Sequence, residues 1–358
     1  MIIRMSAQTQ QKKKVKSRLQ LWLILLGAAL LIAGLILFFL TRDDLFEATT
    51  FSMGTYVQQR VYGKNREEGA QLAAQAVQEL DDLISWRNGE GDVAAINAAA
   101  GSEFVALDER TEQVLRSAMD VCEKSGGALD ITIAPISRLW DFDDNPHLPA
   151  DDMIQKFLTK VDFSTVSLPG DGTAALRLHE TAIDLGAVGK GAGCDAAIAA
   201  YEQAGVSRAV VAVGGSIGVY GKKPFGEPWK IAVRDPAGDG SLGTISLFEG
   251  FLSTSGSYEK FFTENGRIYH HLLDPATGYP AESGLLSVTV KSGEGALSDG
   301  LSTACFVLGW EKSLPLLKEF SADAIFVTED GQVLVTADIW EDFALMDDGF
   351  YTVEKISD

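Results

Sequence analysis

The chain predicts an α+β fold, with helices and strands interspersed but without the strict strand–helix alternation of a doubly wound sheet. Three observations carry that expectation. Helical periodicity is clear over residues 67–85, where Ala73, Ala76, Val77, Leu80, Leu83 and Ile84 recur at spacings of three and four as one apolar stripe. Runs rich in β-branched residues at Thr55–Val61, Arg208–Val213, Trp229–Arg234 and Leu285–Lys291 read as strands. A further pair, Ala324–Thr328 and Gln332–Thr336, flanks Glu329-Asp330-Gly331, a hairpin turn whose glycine can take positive φ.

The remaining helices follow from their ends. One is expected over Glu109–Lys124, with Asp108 as N-cap and Gly126-Gly127 as its stop. Another should follow Gly191, and a fourth should run from about Asp299 to Leu308. No repeat or low-complexity tract interrupts the chain after residue 50, so the body is one large domain or two closely packed lobes.

The N-terminus reads differently. Lys12, Lys13, Lys14, Lys16 and Arg18 precede Leu21–Leu40, twenty residues without a charge. As a helix that run spans roughly 30 Å, the thickness of a bilayer hydrocarbon core. It is longer than a signal-peptide core, and no A-x-A-like cleavage site follows. The expected division is a cytoplasmic basic tail (1–20), a transmembrane anchor (21–40), a linker (41–50) and a folded domain (51–350). The positive-inside rule sends the domain out of the cytoplasm.

Charge narrows the partners. The first 43 residues hold seven basic groups and one acidic group, which leaves 23 basic and 49 acidic residues in the other 315, a net charge of −26. Such a body repels phosphate backbones, so nucleic acid is not an expected partner. Any pyrophosphate it holds needs local compensation. Cys122, Cys194 and Cys305 are widely spaced, with no C-x-x-C, and read as buried inert thiols.

Four short segments look too irregular for core. Met53-Gly54-Thr55 is equally the edge of a strand. Residues 182–191 (A-I-D-L-G-A-V-G-K-G) lead from an apolar run into a helix, a geometry that favours anions at bare N–H groups; the same glycines equally permit tight packing. Residues 270–280 (H-H-L-L-D-P-A-T-G-Y-P) place two of four histidines beside a turn. Histidine suits general-base work, and adjacent side chains on an extended segment diverge. In S-D-G-L-S-T-A (298–304), Asp299 and Thr303 share a helical face, a hard-oxygen pair suited to Mg²⁺. The bland alternative there is N-terminal capping by Ser298 and Asp299.

Taken in order, these segments resemble the FAD:protein FMN transferase (ApbE) family. The matching pieces are F-S-M-G-T (51–55), G-A-L-D-I-T-I-A-P (127–135), A-I-D-L-G-A-V-G-K-G (182–191) and V-A-V-G-G-S-I (211–217). They continue with L-S-T-S-G-S-Y-E (252–259), residues 270–280 and residues 298–304. The resemblance implies a T-fold-related α+β domain of two lobes with a flavin cleft between them. It implies FAD contacts at Met53, Trp86, Ala128, Leu129, Asp130, Asp184, Lys190 and Leu273. It implies a Mg²⁺ site from the Ala187 carbonyl, Asp299 and Thr303, with Ser302 as a further candidate. The implied reaction moves FMN from FAD to a Ser or Thr hydroxyl of a partner flavoprotein and releases AMP, with His271 as first candidate for the base and His270 as second. An FAD pyrophosphatase and a non-catalytic FAD-binding carrier are the alternatives.

Overall fold

The main sheet follows the chain. In the computed structural model, which describes residues 22–34, 44–346 and 349–357, nine strands lie side by side in sequence order. They are β1 (Leu45–Ser52), β2 (Thr55–Tyr62), β3 (Arg208–Val213), β4 (Ser216–Tyr220), β5 (Gly250–Gly256), β6 (Leu285–Ser292), β7 (Asp323–Thr328), β8 (Gln332–Thr336) and β9 (Thr352–Ile356). Neighbours are antiparallel except β8 and β9, which run parallel.

Period-2 alternation sorts side chains to two cores. Ala324 and Phe326 of β7 face the helices, whereas Ile325 and Val327 face a three-stranded sheet formed by Trp229–Arg234, Ser241–Leu247 and Phe343–Leu345. On the helical side lie α1 (Arg66–Ile84), α2 (Glu109–Lys124), α3 (Gly186–Ala204) and α4 (Gly295–Leu308). The α1 stripe is buried at Ala73, Val77, Leu80 and Ile84. At the start of α2 the Asp108 side chain accepts from the Arg110 amide at 2.9 Å, the expected cap. Gly331 turns the β7–β8 hairpin at φ +84°.

Three expectations change. Strand β1 begins at Leu45, inside the segment expected as linker, because every residue from Leu45 to Ser52 finds a partner on β2. Helix α3 starts at Gly186, not after Gly191, so its glycines belong to the helix itself. Helix α4 starts at Gly295, which places Ser298 and Asp299 inside it and removes them as caps. The cap comes from α3: Asp195 accepts from the Gly295 amide (2.7 Å) and the Ala296 amide (2.8 Å). Burial pushes the Asp195 carboxyl up to about 6, against those two hydrogen bonds.

Residues 45–358 form one compact unit. The two-lobed arrangement is visible only as separate hydrophobic clusters, the smallest built on Ile136, Trp140, Ile154, Tyr269 and Leu273. Residues 22–34 are a helix whose large apolar side chains are exposed. Among the described residues no helix is long and apolar enough to cross a membrane. The basic tail, and the rest of Leu21–Leu40, lie outside the described residues.

Helices α3 and α4 pack in opposite directions at unusually short range. A Cβ on Gly191 would sit 2.0 Å from the Gly295 carbonyl oxygen, and one on Gly295 would sit 2.2 Å from the Gly191 oxygen. Farther along, Gly300 faces Val188. Gly191→Ala should therefore destabilise the protein by about 1–3 kcal/mol, the usual cost of overpacking. Gly189→Ala, whose Cβ would meet Ile84 at an ordinary 3.5 Å, should be neutral or gain up to about 1 kcal/mol of helix propensity. Chemical denaturation of both variants checks the contrast.

Candidate active site

The β1–β2 hairpin turns on Met53 and Gly54, both at positive φ (+53° and +69°). Two such residues give the turn type that suits strand twist, and a Met there is strained. Asp81 of α1 holds the strain in place. Its Oδ2 accepts from the Met53 amide at 2.6 Å and from the Ser52 hydroxyl at 3.0 Å. The Met53 sulfur lies against Gly193, where a Cβ would approach it to 2.9 Å. Nothing in the tripeptide M-G-T pointed to Asp81.

The antiparallel packing of α3 on α4 brings Asp299 to the first turns of α3. Asp299 is buried, and its Oδ2 accepts from the Gly191 amide at 2.9 Å. Burial raises its pKa, opposed by the Lys190 charge and by hydrogen bonds from Gly191, Ser216 and the Lys190 main chain. Lys190 stands among Asp299, Glu259 and Asp184, whose charges raise its pKa in that order of influence, Asp299 first, with burial opposing. Its ammonium also contacts the Gly186 carbonyl at 3.4 Å. Asp184 accepts from the Gly186 amide at 2.8 Å. Glu259 is exposed at the edge of this group, and desolvation of its carboxylate raises its pKa against the pull of Lys190.

Thr303 lies one turn beyond Asp299, toward the α3 end that carries Ala187. Its hydroxyl is 3.2 Å from Ser255. Ser302 instead faces the sheet, pairing with Ser255 at 2.7 Å and donating to the Asp299 carbonyl at 2.8 Å. A second hydroxyl pair runs beside it: Ser253 lies 2.7 Å from Ser298 and donates to Ser216 at 3.0 Å. Among the described residues no cluster of three His, Cys, Asp or Glu could hold a metal, so any cation here would rest on one carboxylate and neutral oxygens.

The two histidines diverge as the extended backbone requires. His270 ends the Arg267–His270 strand and stands edge-on to Phe306 of α4 at 5.5 Å. His271 turns to Lys190 and Lys260. Burial first, then those two cations and His270, push its pKa down to about 3. Both rings carry a buried Nδ1 without a partner. The turn that follows is closed by Asp274, which accepts from the Ala276 amide at 2.8 Å through its carboxylate and from the Gly278 amide at 2.8 Å through its carbonyl.

Other expected contacts sit apart from this group. Asp130 is buried, its carboxylate taken by the Thr132 amide (2.8 Å) and hydroxyl (2.6 Å) and the Phe163 amide (2.9 Å). Ala128 and Leu129 are buried beside it, and Leu273 lies in the aromatic cluster. Trp86 is half-buried in a cleft of about 490 Å³ with Asn97, Arg138 and Thr181. The Arg87 guanidinium lies over its ring at 4.4 Å and the Arg138 guanidinium at 4.7 Å. All three cysteines are free and buried, with the thiols of Cys122 and Cys305 pushed up to about 12 by burial.

A sequence-ordered antiparallel sheet, a glycine-lined helix pair and a lysine–carboxylate–histidine group at one end of that pair together define a particular class of domain. Residues 53–326 match the profile of the ApbE family, and the chain belongs to it. The FAD:protein FMN transferase of Treponema pallidum is 33% identical over 83% of this chain and 88% of its own length. The enzyme of the same name from Salmonella typhimurium is 28% identical over 86% of this chain and 92% of its own. The crystal structure of the ApbE protein from Thermotoga maritima superposes with a TM-score of 0.76 at 30% identity, covering 81% of this chain and 96% of that one.

The depressed histidine has a direct test. The His271 ring resonances should stay fixed between pH 8 and pH 5 and move only in stronger acid, rather than titrating near 6.5. The sign for stability follows. Below about 6.5 the unfolded chain binds a proton that the folded ring refuses, so His271 lowers stability as pH falls, by at most about 1.4 kcal/mol per unit. An NMR titration of the ligand-free protein checks the first point, and acid denaturation of His271→Gln against the wild type checks the second.

Proposed function

We propose that this chain transfers the FMN moiety of FAD to a Ser or Thr hydroxyl of a partner flavoprotein, releasing AMP, with Mg²⁺ as the metal. The observation that carries the reading is Lys190, a cation gathered among Asp299, Glu259 and Asp184 and close to an unprotonated His271. In a body of net charge −26 that lysine is the local compensation a pyrophosphate requires. Family membership, and the name borne by both curated relatives, support the same reaction.

The donor set suits a hard cation. Asp299 supplies a carboxylate, Thr303 a hydroxyl and Ala187 a carbonyl. The Gly191 amide, one turn beyond Ala187, donates to Asp299 at 2.9 Å, which ties the carboxylate to the same turn of α3. Bound there, Mg²⁺ would neutralise charge developing on the pyrophosphate. Ser302, engaged by Ser255 and the Asp299 main chain, is the weaker ligand.

The chain's own residues do the rest. The acceptor oxygen attacks the FMN phosphorus, the bond from phosphorus to the AMP oxygen breaks, and the hydroxyl proton goes to His271. An imidazole with a pKa near 3 is a weak base at rest. Burial depresses it most, and the two lysines that add to the effect are groups a pyrophosphate would neutralise, so substrate binding would restore part of its basicity. His270, turned to Phe306, is the second candidate. Trp86 and Met53 would meet the flavin, with Leu273 and residues 128–130 offering main chain. Leu21–Leu40 would anchor the chain in the cell membrane, with the body beyond Arg42 on the extracytoplasmic side.

Mass spectrometry of a candidate acceptor peptide after incubation with this chain, FAD and Mg²⁺ should show an FMN adduct. Release of free FMN and AMP with no adduct would favour the pyrophosphatase instead. His271→Ala should bind FAD yet transfer roughly 10²–10⁴-fold more slowly, and His270→Ala should lose much less. Asp299→Asn, which keeps the shape and can still accept hydrogen bonds, should abolish Mn²⁺ binding by electron paramagnetic resonance while the melting temperature changes little. Retained Mn²⁺ binding would remove Asp299 from the metal site.

A further inference from the structure

We infer that Asp143 is a positioning residue that locks the Trp86 segment to the His271 segment by dividing one carboxylate between Arg87 and Lys260. The inference rests on the transfer reading, which gives Trp86 and His271 their parts. Asp143 follows the Ala134–Trp140 helix and is remote in sequence from both segments. Its Oδ2 meets Arg87 at 2.5 Å and its Oδ1 meets Lys260 at 2.5 Å. Each oxygen thus serves a different cation on a different segment.

Each cation is tied directly to a site residue. Arg87 follows Trp86 in the chain and lays its guanidinium 4.4 Å over the indole. The Lys260 carbonyl accepts the His271 amide at 3.0 Å, and the Lys260 charge acts on the His271 ring. Holding both cations on one carboxylate fixes the distance between the ring that would stack on the flavin and the base that would serve its phosphate. Two independent surface ion pairs would leave that distance free.

The two guanidiniums over Trp86 are not equivalent. Arg87 is held by Asp143, whereas Arg138, 4.7 Å from the ring centroid, has no carboxylate partner among the described residues. A planar ligand entering the cleft would displace Arg138 more readily than Arg87. The plain alternative is a solvent-screened pair of ion contacts that pins the 141–147 loop and nothing else; such pairs are often worth little.

Two-dimensional NMR of the ligand-free protein separates these readings, with Trp86→Phe and His271→Gln used for assignment. Asp143→Asn should shift both the Trp86 indole N–H and the His271 ring resonances. Arg87→Ala should shift the Trp86 signal and leave His271, and Lys260→Ala should do the reverse. In parallel, FAD affinity should fall roughly tenfold in Asp143→Asn and in Arg87→Ala, a change within the range for members of one ion-pair network. The transfer rate at saturating FAD should fall in Asp143→Asn and Lys260→Ala and hold in Arg87→Ala. Asp143→Glu, which keeps the charge, should recover most of each loss. Unchanged Trp86 and His271 signals in Asp143→Asn would overturn the inference. So would single cation variants that move both signals together with the melting temperature. Should Asp143→Asn fail to fold, the divided pattern of Arg87→Ala and Lys260→Ala still decides. A wild-type chain that binds FAD but makes no adduct refutes the transfer reading and leaves the NMR and affinity arms intact.

Discussion

The contact between Gly191 and Gly295 is the constraint on which the rest of the site depends. With no Cβ on either side, α3 and α4 approach until backbone meets backbone. That approach puts the Asp299 carboxylate within hydrogen-bond reach of an amide in the first turns of α3. Burying a carboxylate costs several kcal/mol unless it is bonded and faced by a cation. Here Gly191, Ser216 and Lys190 supply both. One methyl group at Gly191 would part the helices and strand the charge. The glycines that resemble a phosphate-binding loop therefore act first as packing residues, and the anion-handling group forms because they pack.

The electrostatics are local and run against the whole. The body carries about twice as many acids as bases, yet burial first, and then Lys190 and Lys260, keep one imidazole neutral. Lys190 is in turn held charged by Asp299, Glu259 and Asp184. This layering places acids around a lysine and lysines around a histidine. In the proposed reaction an anion that takes over the lysines would restore part of the imidazole's basicity, the share lost to burial remaining. A free-standing histidine with an unperturbed pKa would be half-protonated near 6.5 whether or not substrate were present.

Much of the fold was legible in the sequence, and the reasons for the gaps are physical. Helix α1, helix α2 with its Asp108 cap, and the β7–β8 hairpin follow from patterns within a few residues of one another. The start of α4 is not legible locally because its cap comes from Asp195, a hundred residues away, rather than from the S-D pair beside it. Strand β1 reads as linker because an edge strand with mostly exposed side chains has no apolar alternation to show. Among site residues, Asp299, Lys190 and the divergence of the histidines could be read. Asp81 and Asp143 could not, since each acts through a partner that only the tertiary fold brings near.

Strain and charge meet at the mouth of the site in a way that explains why so many supports are acidic. Met53 occupies a left-handed conformation that costs of order 1 kcal/mol or more for a side chain of its kind. Asp81 offsets that cost with two hydrogen bonds, one to the strained residue's own amide. Asp143 holds two cations, and Asp195 caps the helix that carries Asp299. Each of these three carboxylates is engaged by donors from the protein. A high acid content of the body is thus compatible with the anionic ligand of the proposed reaction. Asp81, Asp143 and Asp195 hold amides, a lysine and an arginine in place, and the positive groups so held are what such a ligand would meet.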